Sequence, residues 1–198
     1  MVPLIASKKR RLVPPFFLLE PITRGNTNDI IKGVKSAGRM IAQMEQHPVM
    51  KKLQSKLEIN PILVLHAPKE YKEAMACFDV EVHTELQENE YGFIHVFGTT
   101  NDDLKTRATQ VVDLLKEDGL LWLSYPKKTS KKYKGSDCNR DTVATLLGEH
   151  GFEPVRQVAV DEDWSALRFR HVSLIKTMNR TFAVTKEGKE RTSKEETT

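Results

Sequence analysis

The sequence has little cysteine and no long apolar run. Its two cysteines, Cys77 and Cys138, stand far apart and in no metal-ligand spacing. That excludes a disulfide framework and a thiolate zinc site and fits a reducing compartment. No stretch approaches the roughly 20 apolar residues of a membrane span. Near the N-terminus the basic run Lys8, Lys9, Arg10 and Arg11 precedes Phe16-Phe17-Leu18-Leu19. Pro14-Pro15 and Glu20-Pro21 confine that apolar run to four residues, short of the roughly 7–15 of a signal peptide's apolar region. The expectation is a cytoplasmic protein with no membrane association. P-loop, serine-elbow, paired-carboxylate and metal-ligand spacings are also missing, so the sequence points to no catalytic residue and no metal.

Charge is mild in total and uneven in place. The 198 residues carry a formal net charge of +4. Residues 1–60 hold 11 Lys and Arg against 4 acids, a balance of +7, which leaves −3 for residues 61–198. A protein coated for polyanions is therefore excluded, and only local patches remain as candidates. One is basic: Ser124–Arg140 has Lys127, Lys128, Lys131, Lys132, Lys134 and Arg140 against Asp137, a local +5. One is acidic: Asp79–Glu90 has five carboxylates and no Lys or Arg, a local −5.

Patterning divides the chain into residues 1–49, an N-terminal extension expected to be poorly ordered or absent from the native product, residues 50–178, and a mobile polar tail from 179 to 198. A helix from Thr27 or Asn28 to Leu57, interrupted at Pro48, is predicted before the pattern sharpens at Asn60-Pro61. Ile62 to Leu65 is an unbroken apolar run, as in a strand buried on both faces of a parallel sheet. A helix from Pro68 to about Cys77 follows, then a short strand over 79–83 and a stronger one over 91–97. Thr100 or Asn101 caps a helix with Leu104, Ala108, Val111, Val112 and Leu115 at helical spacing and Gly119 as its stop. Leu120–Tyr125 is the next strand, Asp137 or Cys138 to His150 the next helix. Strands over 155–160 and 165–172 meet at the acidic turn Asp161-Glu162-Asp163. Strands alternating with helices give an α/β, Rossmann-like, three-layer fold with a mainly parallel sheet and a C-terminal antiparallel hairpin.

That order, and the passage Leu114-Leu115-Lys116-Glu117-Asp118-Gly119-Leu120-Leu121-Trp122-Leu123-Ser124, resembles the back half of class I methyltransferases over roughly residues 61–172. The resemblance implies S-adenosylmethionine at the first βα turn. There the family uses glycines for close backbone approach, whereas this chain has His66-Ala67-Pro68-Lys69. The expectation is accordingly a degenerate, methyltransferase-like scaffold without a cofactor, S-adenosylmethionine included. Glu81 and Glu85 are both candidates for an acidic ribose contact after the second strand. The passages Leu121-Trp122-Leu123-Ser124-Tyr125-Pro126-Lys127, Asn139-Arg140-Asp141 and Asp163-Trp164-Ser165-Ala166-Leu167-Arg168-Phe169-Arg170 are also similar to those of an uncharacterised bacterial family, a domain of unknown function. That resemblance implies a Rossmann-like fold and no particular activity.

In open α/β sheets ligands bind beyond the C-terminal ends of the strands, and His66, the 124–140 loop and the 161–164 turn should meet there. Lys127, Lys128, Lys131, Lys132, Asn139, Arg140, Trp164 and His66 are the candidate anion-binding residues, with Trp164 a possible stacking surface. Each has a plainer alternative: solvated lysines, a helix cap at Asn139, a core indole, a hydrogen-bonded histidine. The same applies to His95, to Cys138 as a nucleophile, and to Arg168 and Arg170, whose alternative is pairing with neighbouring carboxylates. The leading expectation is a non-catalytic module that binds a phosphorylated small molecule, nucleotide or nucleic acid. Its alternatives are an S-adenosylmethionine-dependent methyltransferase with an unusual first loop, and a homodimer joined through the opposed charge patches.

Overall fold

Why the apolar strand residues alternate between two destinations is plain once the sheet is seen edge-on. The computed structural model describes residues 48–53, 59–78, 80–178 and 182–195, all within the unit spanning residues 46–198. Six strands, β1 (Ile62–Leu65), β2 (Val82–His83), β3 (Tyr91–Phe97), β4 (Leu115–Pro126), β5 (Phe152–Ala159) and β6 (Trp164–His171), form one sheet ordered β2–β1–β3–β4–β6–β5. The first four run parallel. β6 is antiparallel to both β4 and β5, so the chain closes with the expected hairpin.

Successive side chains of a strand leave opposite faces. Leu63, Ile94, Val96, Leu121, Leu123, Leu167 and Phe169 therefore build one core with Leu104 and Ala108 of α3 (Asn101–Thr109) and Val143 and Ala144 of α4 (Arg140–Thr145). Ile62, Val64, Phe93, Phe97, Trp122 and Trp164 build the other with Met50 and Leu53 of α1 (Pro48–Leu53) and Tyr71 of α2 (Lys69–Met75). Helices on both faces make the three-layer α/β architecture. The Trp122 indole N–H donates to the Leu53 carbonyl at 3.0 Å, fixing the end of α1 on the sheet.

Several boundaries depart from the sequence expectation. β2 is only two residues long, not 79–83. The helix expected to reach Gly119 ends at Thr109, and β4 begins at Leu115, paired with Tyr91. Sheet pairing has overridden the helical spacing of Val111 to Leu115. The left-handed residue is Asp118 (φ 55°), and Gly119 is small because a Cβ there would approach the Leu115 side chain and the Lys116 carbonyl at 2.9 Å. The passage taken as helix–Gly–strand is thus an irregular strand. α4 starts after Asn139, not Asp137; Asp137 instead accepts from the Asn101 amide at 2.9 Å. Gly151 (φ 78°) does end the following turn, as expected, and β5 starts at Phe152.

One expected segment limit falls inside an element, and one expected segment has structure of its own. The division at residue 49 cuts α1, whose Met50 is buried; residues 1–47, and with them the 27–57 helix before Pro48, lie outside the described residues. In place of a tail without structure, residues 182–195 carry a helix, α5 (Lys186–Glu195). Its approach is tied down by the buried Glu153 carboxylate, which accepts from the Val184 and Thr185 amides and the Thr185 hydroxyl. Arg191 donates to the Val172 and Ile175 carbonyls. No helix among the described residues is long and apolar enough to cross a membrane.

Candidate functional site

The C-terminal edge of the parallel strands gathers the expected pieces. β1 ends at His66, β4 at the basic loop, and the 161–163 turn closes the hairpin beside that loop. The join is made of hydrogen bonds. The Lys127 amide donates to the Asp163 carbonyl at 2.7 Å, the Lys127 ammonium to the Asp161 carbonyl at 2.5 Å, and the Ser130 hydroxyl to the Asp163 carboxylate at 2.6 Å.

The loop then crosses to α2. Lys132 reaches Glu70 at 2.7 Å, and the Tyr133 hydroxyl donates to the other Glu70 oxygen at 2.8 Å. The Lys132 hydrogen bond, with smaller help from the Glu70 amide and Tyr133, lowers the Glu70 carboxyl to about 2. The Tyr133 ring packs edge-on against Trp164 with centroids 4.7 Å apart. Trp164 itself is buried between that ring and Phe97. It is core, and the stacking-platform expectation is corrected: the face a base would need is covered by Tyr133.

Asn139 is likewise occupied. Its side chain accepts from the Asp141 and Thr142 amides at 2.9 and 3.1 Å, while the Thr142 hydroxyl accepts from the Asn139 amide, a complete capping box. What remains open is a cavity of about 350 Å³ at the end of β4, lined among others by Tyr125, Lys127, Lys128, Thr129, Arg140 and Gln157. Lys128 and Arg140 are exposed, and neither has a side-chain partner among the described residues. Lys131 and Lys132 do not line this cavity, nor does His66.

Protonation states follow from burial. Burial pushes the Tyr125 phenol up to about 12 and the Cys138 thiol up to about 11, which favours the protonated form of each at neutral pH and disfavours Cys138 as a nucleophile. His95 is wholly buried, its ring nitrogens against Ser124 Oγ at 2.7 Å and Tyr71 OH at 3.1 Å. Burial holds it down near 3, a neutral core histidine. His66 is exposed at the edge, lowered first by partial burial and then by the Arg107 charge. Its φ of 56° is the left-handed conformation that favours glycine. Among the described residues no cluster of three or more His, Cys, Asp or Glu is placed to hold a metal.

Sequence reasoning missed Glu70, the anchor of the loop; its only signal was an acid in the first turn of a helix. It left Glu81 and Glu85 undecided, and the sheet separates them. Glu81 precedes β2, at the N-terminal edge, with its carbonyl accepting from the Ile62 amide, whereas Glu85 follows β2 at the ligand-binding edge.

No family model matches the sequence, so the resemblance to the uncharacterised bacterial family gains no support from that comparison. No curated protein matches it either. Solved structures do. The N-methyltransferase NodS from Bradyrhizobium japonicum WM9 matches with a TM-score of 0.43 and 14% identity, over 62% of this chain and 92% of that one. A ribosomal protein L11 methylase from Lactobacillus delbrueckii subsp. bulgaricus matches with a TM-score of 0.37 and 16% identity, over 61% of each chain, so this chain spans under two thirds of its length. An S-adenosylmethionine-dependent methyltransferase from Clostridium acetobutylicum ATCC 824 matches with a TM-score of 0.37 and 10% identity, over 55% of this chain and 74% of that one. At such identities the likeness is one of fold. Against the expectations of a non-catalytic chain and of no cofactor stand the matched proteins themselves, which are methyltransferases, one described as S-adenosylmethionine-dependent. The fold is a Rossmann-like, three-layer α/β architecture.

Proposed function

We propose that the protein is an S-adenosylmethionine-dependent methyltransferase whose acceptor is a small anionic molecule, such as a phosphorylated metabolite, held in the cavity at the end of β4. The observation that carries the reading is the sheet order, in which antiparallel β6 lies between parallel β4 and β5, the closing hairpin that class I methyltransferases share.

The first turn fits the cofactor better than its composition suggests. His66 takes the left-handed conformation that a glycine would supply. Ala67 is buried in the core beneath, so its methyl group is turned away from the edge and backbone faces outward. Glu85 follows β2 at the same edge, where an acid can accept from ribose hydroxyls. His66, Ala67 and Glu85 are the residues that would hold the cofactor, which supplies an electrophilic methyl group when bound.

The remaining work falls to this chain's own groups. Lys128 and Arg140 would neutralise and orient the acceptor, Arg140 through a planar fork suited to phosphate or carboxylate. Tyr125 accepts from Gln157 at 3.0 Å and, held protonated, acts as a hydrogen-bonding group and not as a base. His66, kept neutral, is one group at this edge able to accept a proton. Nucleic acid suits the site less well, because Lys127 and Lys132 are engaged by Asp161 and Glu70 and the remaining opening is a small concavity, typical of small-ligand sites.

Titration calorimetry with S-adenosylmethionine and S-adenosylhomocysteine tests the reading. Micromolar binding is expected, and Glu85→Gln should weaken it about tenfold, the scale of one hydrogen bond to a charged group. Absence of binding by both molecules at millimolar concentration overturns the proposal.

A further inference from the structure

The other end of the sheet holds a group of cations that the proposed reaction does not use. Arg168 and Arg170 leave the same face of β6, and Arg156 of β5 stands directly opposite Arg168 in the ladder. Like charges directly opposite each other in a sheet oppose its formation. The cavity they line, of about 430 Å³, is completed by Ile175, Lys176 and Thr177 from the segment after β6. Because β6 runs against the parallel strands, this cavity lies toward their N-terminal ends, away from the one at the end of β4.

Carboxylates do not balance the group. Asp118 accepts from Arg170 Nε and Nη2, both at 2.7 Å, and that fork-on-fork pair uses both of its oxygens. Glu153, opposite Arg170 in the ladder, is turned to the Val184 and Thr185 amides. Arg168 makes no ion pair among the described residues, and the carboxylate whose charge reaches it, Asp118, is already held by Arg170. Its Nε is buried without a hydrogen-bond partner, and burial, followed by the charges of Arg170 and Arg156, disfavours its charged form. The Arg156 and Lys176 side chains are exposed and have no partner among the described residues. A buried guanidinium donor left unpaired beside like charges is costly. An anion seated in the cavity would satisfy that donor and relieve the repulsion together.

We propose that the Arg156–Arg168–Arg170–Lys176 cavity is a second anion-binding site, built for the phosphate or pyrophosphate group of a small molecule. Guanidinium forks match tetrahedral oxyanions, and the cavity has room for a small phosphorylated compound. Arg170, already held by Asp118, serves as the fixed wall of the site, while Arg168 and Arg156 are the groups that gain a partner.

Inorganic pyrophosphate is the probe, with the full chain and with sodium chloride at matched ionic strength as the reference. Pyrophosphate should raise Tm beyond the chloride reference, and Arg168→Met should weaken its apparent affinity at least tenfold. The same substitution should raise Tm without ligand, because it removes a half-buried cation whose Nε is unpartnered and which faces like charges. The double variant Arg156→Gln/Lys176→Gln alters only exposed side chains and stands in if Arg168→Met does not fold; it too should lose most of the pyrophosphate effect. Lys128→Gln/Arg140→Gln, at the other end of the sheet, should keep it. No effect beyond chloride, undiminished binding in Arg168→Met or in the Arg156/Lys176 variant, or loss confined to the Lys128/Arg140 variant each overturns the proposal.

Discussion

The loop after β4 and the arginine face of β5 and β6 are both cationic, and they use their charge in opposite ways. In the loop, charge is dense in sequence and partly spent in structure: Lys127 donates to a carbonyl and Lys132 to Glu70, while Lys128 and Arg140 have no side-chain partner among the described residues. On the strands, charge is sparse in sequence, and Arg168 is left with a buried, unpartnered Nε. A run of lysines advertises itself because long side chains in a loop stay near solvent, and there some of them, here Lys127 and Lys132, find ordinary partners. An arginine on a central strand is conspicuous only when its neighbours across the ladder are known. Local cation density is therefore a poor guide to free charge, and the count of available acceptors around each group is a better one.

The comparison breaks first at Trp164. If the loop is part of the fold, its apolar anchor should matter most, and Trp164→Ala should cost roughly 3–5 kcal/mol in a urea denaturation series, as large-to-small core substitutions do. A loss under about 1 kcal/mol would return the indole to the surface and the loop to a solvated role. Asn139→Ala sharpens the same point at smaller scale. Removing the capping side chain should cost about 1 kcal/mol, with weaker helical circular dichroism from α4. An unchanged stability would mean that the capping box contributes nothing and leave ligand contact as the residue's purpose.

How far the sequence carried depends on the range of the interaction that decides each feature. β1 and β3 were readable because apolar and aromatic runs are local signals, and the hairpin because β5 and β6 are joined by a tight acidic turn. The end of α3 was not readable. Val111 to Leu115 keep helical spacing, and only pairing of Leu115 with Tyr91, some twenty residues distant in sequence, draws that segment into β4. At the ligand edge, His66 and the loop were placed correctly by topology, but the roles of Lys132 and Trp164 were decided by Glu70 and Tyr133, which composition does not bring together. At the glycine-free first turn, sequence and backbone part for a related reason. The sequence records that no glycine is present, whereas the backbone conformation that glycine would have supplied is adopted by His66.

Smallest in effect, and the most direct check that the Lys132 charge is spent, is the pH dependence of the Glu70 pair. The Lys132 hydrogen bond holds the folded carboxyl at about 2, against an ordinary value of 4.5. A depressed carboxyl favours the folded state while it is ionised in both states, so the contribution is complete above the unfolded value. It declines as pH falls below about 4.5 and is gone below about 2. Glu70 is a third exposed and Lys132 more than half, so water and salt screen the pair and the effect on Tm should be modest. Glu70→Gln should lower Tm slightly at pH 7, and the difference from the parent should shrink through the window from pH 4.5 down to 2. It should also shrink at 1 M salt. Should Glu70→Gln match the parent at pH 7 and low salt, Lys132 would be free after all, and the loop would rejoin the arginine face as a reservoir of unpaired charge.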